Sequence, residues 1–218
     1  MQQNLSTLTT EVRKALDDIA PTGITDSFAD DVNAEIEQAL EHAATHLSRE
    51  LPLEMLEPEV IDNTTAEPEW SRTEGENGSG MIVLPADFLR FGALDMQEWT
   101  ATVRELIEPG SESEHQQRSK WSRGSNEKPR AMLDNVIVTD GGQNNRQTHQ
   151  VLRYWPGSQD NELERLVYVP QVRVSNGELI CALKAECEKN LIYLTCRIFL
   201  EGKKEHTAAE KFAALVTI

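Results

Sequence analysis

Apolar residues recur every three or four positions near both ends of this chain, while the middle lacks that rhythm. A 3.6-residue period lines one face of a helix and cannot line one face of a strand, so this contrast limits the fold more than any other feature. Leu5, Leu8, Val12, Leu16 and Ile19 predict an amphipathic helix ending before Pro21 and Gly23. Val32, Ile36, Leu40, Ala43 and Leu47 predict a second. Ser27 or Asp30 can cap this second helix, acids occupy its first turn where the helix dipole favours them, and Pro52 stops it. At the other end Ile180, Leu183, Cys187, Leu191, Leu194 and Ile198 read as one helical seam. Gly202 can end or bend it, and Ala208, Phe212 and Leu215 continue the pattern in a terminal helix.

From Met55 to about Gln171 short apolar or alternating runs are separated by Gly, Pro, Asn and Ser, the texture of strands and turns. Strands are expected at Met81 to Leu84, Leu89 to Met96, Met132 to Val138, His149 to Trp155 and Leu166 to Val169. Asp140-Gly141-Gly142 supplies a chain reversal, residues 62–80 form a polar loop, and Glu112 to Trp121 form a short helix. The expected class is α+β: a bundle of N- and C-terminal helices (1–53 and 173–218) that pack on each other and carry a β-rich insertion (54–172).

Charge narrows the function. The 218 residues hold 37 acids against 21 Lys and Arg, a formal net charge of -16. That excess repels phosphate and disfavours ordinary nucleic-acid binding through a basic patch. It serves solubility, or it forms a wall past which DNA slides without adhering, with repulsion that persists over roughly 8 to 10 Å at physiological salt. No uncharged apolar run approaches a membrane span, and the opening residues lack a signal-peptide pattern, so a soluble protein made inside the cell is expected.

The usual motifs of chemistry do not assemble. His42 and His46 share a helical face at metal-ligand spacing, but no third ligand accompanies them. The glycines of GENGSG (75–80) and Gly141-Gly142 precede no Lys in phosphate-loop register and are read as turns. Cys181, Cys187 and Cys196 lie along the last helical pattern, without metal or redox spacing, and read as buried thiols. We therefore expect neither an enzyme nor a cofactor.

One stretch departs from the acidic background. In QQRSKWSRGSNEKPR, Arg118, Lys120, Trp121, Arg123, Lys128 and Arg130 cluster around one aromatic residue. It is a solvated loop, or it docks on an acidic neighbouring subunit, where Arg and Trp often dominate interface energy. A nucleic-acid contact ranks third.

The run GMIVLPADFLR (80–90) resembles the strand followed by Leu-Pro-x-Asp-Phe in head-to-tail connector, or adaptor, proteins of tailed phages. The order of other features is similar to connector or ring proteins of crAss-like and related gut phages. These are the helical pair with Asp31 to Ile36, the Ser113 to Arg123 stretch before Lys128-Pro129, the strand end Tyr168-Val169-Pro170, and the closing Ala-rich helices. The resemblance implies a helical bundle with a β-rich extension, assembled as a ring, commonly of twelve copies, between portal and tail in the virion. Genomic DNA would pass through without specific binding. Within the run, Pro85 lacks the amide hydrogen a continuing strand needs, Asp87 can satisfy neighbouring backbone donors, and Leu84 and Phe88 flank the corner, with Phe88 anchoring the next strand in the core. The reading from another class is an acidic cytoplasmic regulatory or DNA-mimicking protein. Mimicry would need the acids on one exposed stripe, whereas they are spread over both terminal regions and the loops.

Overall fold

The computed structural model describes residues 2–19, 29–62, 78–119, 121–139, 146–157 and 162–216. Among them are five α-helices and nine strands, an α+β protein in two compact units. The first unit joins Met1–Pro58 to Val169–Ile218, and the second is Glu59–Tyr168. The expected boundaries lay at 53/54 and 172/173.

In the first unit, helices α1 (Leu5–Ile19), α2 (Ala29–Glu50), α4 (Glu188–Gly202) and α5 (His206–Ala213) pack through their apolar stripes, with α4 touching the other three. Leu8, Val12 and Leu16 of α1, Ile36, Leu40 and Leu47 of α2, and Leu191, Cys196, Phe199 and Leu200 of α4 are buried. Each such aliphatic or aromatic side chain contributes on the order of 1.5 to 3 kcal/mol. The two ends of the chain thus build one core, with Cys196 Sγ lying 3.7 Å from the Val12 carbonyl oxygen. Asn4 starts α1, its side-chain oxygen accepting from the Ser6 amide at 2.9 Å.

Spacing alone misreads residues 180–187. Strand β9 (Glu178–Ile180) lies between β1 (Gln2–Asn4) and β8 (Arg173–Ser175), pairing antiparallel with both. Asn176 and Gly177, both at positive φ, make the β8–β9 turn. Leu183 bridges Leu56, and Ala182 O accepts from Glu57 N at 2.6 Å. These cross-chain bonds occupy backbone groups that a helix would need, so α4 begins only at Glu188. Cys181 therefore precedes the helix, Cys187 ends the short 3-10 turn just before it, and only Cys196 lies within it. At the far end Leu215 lies beyond α5 and is 41% exposed.

The second unit holds two three-stranded antiparallel sheets, in the orders β2-β7-β4 and β3-β6-β5. The strands are β2 (Glu59–Ile61), β3 (Gly80–Val83), β4 (Phe88–Met96), β5 (Arg130–Thr139), β6 (Arg146–Trp155) and β7 (Leu163–Pro170), the last running just into the first unit. Both sheets and the segment carrying Trp99 and Val103 feed one apolar cluster, which includes Ile82, Leu84, Phe88, Leu94, Leu152, Leu166 and Tyr168. Alternation along β4 buries Phe88, Leu94 and Met96 on one face. Gly80 is required by packing, since a Cβ there would lie 2.0 Å from the Tyr154 ring. Residues 63–77 and Asp140-Gly141-Gly142, the expected chain reversal, lie outside the described residues; the β5–β6 pairing extends to Thr139↔Arg146.

Candidate interaction surface

The basic stretch is organised by hydrogen bonds that begin in a short helix. In α3 (Glu112–Gln117), Ser111 caps the start by accepting from Glu114 N, and Glu114 in turn accepts from Gly110 N at 2.6 Å. That backbone bond, with help from the nearby Arg118 charge, holds the Glu114 carboxyl below its ordinary pKa. The helix stops at Gln117 rather than reaching Trp121, because the polar groups beyond it bond back to the chain. Gln117 is buried, donates to Ser113 O at 2.8 Å and accepts from Gly124 N at 2.8 Å. Ser122 Oγ donates to Gln116 O at 2.8 Å, and Arg123 N donates to Ser119 O at 3.1 Å. Ser125 and Lys128 close a tight turn, and Asn126 O of that turn accepts from Thr100 N at 2.9 Å. A Cβ on Gly124 would lie 2.7 Å from the Trp155 carbonyl oxygen, so the loop also presses closely on β6.

On this braced loop Trp121 is 92% exposed, by far the most exposed large apolar residue among those described, the next being Val60 at 50%. Arg118 is exposed and lies 3.7 Å from Glu114, and Lys128 and Arg130 are exposed as well. The Arg123 guanidinium is half-buried beside Gly78, where a Cβ would come within 3.0 Å of Nη1. Lys120 lies outside the described residues.

The other sequence-derived residues serve a different purpose. Leu84 and Phe88 are both 7% exposed and belong to the apolar cluster. Pro85 O accepts from Phe88 N at 3.0 Å to form the corner between β3 and β4. Phe88 stacks on Tyr168 with ring centroids 6.0 Å apart. The Tyr168 hydroxyl lies 2.7 Å from Glu59 Oε2 and 3.2 Å from Asp87 Oδ1. Burial, then the bond to Glu59 and the neighbouring carboxylates, raise the Tyr168 pKa, so the phenol stays protonated as the donor. Spacing does not reveal this contact, because Tyr168 is far from both acids in sequence.

A further feature that spacing misses is a cleft of about 300 Å³ in the first unit, between α2 and α4. Ala39, Ile198 and Phe199 supply its apolar lining, and Glu35, Gln38, His42 and Lys203 its polar lining. Lys203 pairs with Glu35 and sits 5.6 Å from the Phe199 ring centroid. His42 and His46 are both exposed on α2, and among the described residues no group of three His, Cys, Asp or Glu side chains is placed to hold a metal. The three cysteines are buried thiols, and burial pushes Cys196 up to about 12 and raises the other two. Among the described residues no helix is long and apolar enough to cross a membrane.

Comparison with known proteins adds no identity: no family model matches the chain, and no curated protein matches it.

Proposed function

We propose that this chain is a structural, non-enzymatic protein of a tailed-phage virion, a ring in the head-to-tail connector below the portal that links capsid to tail and lines the DNA passage. The observation that carries the reading is Trp121, a bulky aromatic left in solvent among basic residues on a braced loop of an acidic protein. An indole is stabilised by burial, and a loop already ordered loses little further freedom when it binds, so such a residue is suited to anchoring a protein contact. The net charge of -16 supports passage of DNA without adhesion. The order of sequence features supports the connector assignment in particular. In this role the chain needs neither cofactor nor catalytic group, and its partners are further copies of itself, the portal, and neighbouring neck or tail proteins.

The test is assembly. Purified protein mixed with the portal protein of the same virion is expected to form a closed ring visible in negative stain, and persistent failure to bind the portal would end the reading. Capture of a nucleic-acid-binding enzyme whose activity the chain blocks would instead favour the DNA-mimic alternative.

A further inference from the structure

We infer that the Trp121 loop of one copy seats in the α2–α4 cleft of a second copy. This rests on the reading of the chain as a self-associating ring protein, and adds which two surfaces meet.

The loop's chemistry specifies its partner. Between residues 118 and 130 five basic side chains face one acid, Glu127, so the loop favours an anionic surface with an apolar recess for the indole. Helix α2 offers such a surface. On the cleft side of α2 the acids Asp31 and Glu35 are exposed, and the helix carries no Lys or Arg before Arg49. The adjoining cleft supplies the recess, with Phe199 and Ile198 in its lining and Gly202 at its edge, where a Cβ would meet nothing within 4 Å. At about 300 Å³ it is at the small end of binding pockets, suited to a single large side chain. It already holds one cationic group, because Glu35 and the Phe199 ring together engage Lys203. Asp31 lies one turn before Glu35 on the same face of α2 and is exposed to receive Arg118, Lys128 or Arg130. Loop and cleft are different surfaces, so the contact is heterologous, and its repetition closes into a ring or continues as a filament.

Engineered cysteines test this directly, since the native thiols are buried. Protein carrying Ser122→Cys is mixed with protein carrying Gln38→Cys and oxidised. A disulfide-linked heterodimer is expected, whereas Ser122→Cys mixed with Thr10→Cys, an exposed site on α1, gives only background. Adding Trp121→Ala to the Ser122→Cys copy should weaken association about thirtyfold or more, the scale of an interface hot spot, with an unchanged circular dichroism spectrum. Equal cross-linking to the Thr10→Cys control overturns the inference, as does a disulfide within one copy when both substitutions share a chain. Absence of the heterodimer while native mass spectrometry shows oligomers, or while the portal assay yields a ring, refutes the loop–cleft contact and leaves the ring reading standing. Failure of every assembly assay removes both.

Discussion

Phe88 and Trp121 belong to the same compact unit, yet one is 7% exposed and the other 92%. The difference comes from what the backbone does around each. Phe88 begins β4, whose alternation points it into the shared apolar cluster and onto Tyr168. Trp121 follows a helix whose end is folded back by Gln117, Ser119 and Ser122, and those bonds satisfy the backbone without drawing the indole inward. Burial of the first stabilises the fold, and the second leaves its apolar surface in solvent.

The largest effect is expected from truncating Phe88. Phe88→Ala is expected to cost about 3 to 5 kcal/mol of stability by urea unfolding, the scale of a deleted core aromatic, and a cost near zero would show that the corner is not part of the core. Next in size, Tyr168→Phe should cost about 1.5 to 3 kcal/mol, because it leaves Glu59 and Asp87 without their hydroxyl donor. The pH dependence has a definite sign. The folded-state pKa of Tyr168 is raised above the unfolded value of about 10, so its contribution is full below that pH and is lost as pH rises beyond it. Alkaline unfolding of the parent should therefore show a stability loss that Tyr168→Phe lacks.

Two smaller effects sharpen the other side. Gln117→Ala should cost about 1 to 3 kcal/mol by leaving the Gly124 amide without its acceptor, and hydrogen exchange at Gly124 should accelerate. Trp121→Ala is expected to change stability by no more than about 0.5 kcal/mol while weakening association about thirtyfold or more. A large loss of stability from Trp121→Ala would place the indole among the fold's own supports and remove the basis for the proposed function.

Legibility follows the range of the interactions. The stripes of α1 and α2 are readable because a helix announces its buried face within a few residues, and the β4 corner is readable because proline and alternation act locally. The hairpin at Ser175-Asn176-Gly177-Glu178 also carries a local signal, Asn-Gly, but Ile180 and Leu183 fall at helical spacing and obscure it. Their pairing with Gln2 and Leu56 decides the matter, and no spacing rule reaches across that much chain. For the candidate surface, composition identifies the basic residues and their aromatic neighbour. The same composition is silent on which of them are braced, since Arg123, half-buried beside Gly78, and Arg118, exposed, are the same letter.

The amino-acid sequence alone determines that this is an acidic α+β chain with helical ends and a strand-rich middle, because residue type and short-range periodicity set charge and local conformation. Only the tertiary structure decides that residues 55–57 and 182–184 join in backbone pairing, that Tyr168 meets Glu59 and Asp87, and that α2 and α4 leave a cleft beside Gly202. Those outcomes depend on distant segments competing for the same hydrogen bonds and the same buried volume, and that competition is resolved only when the whole chain packs.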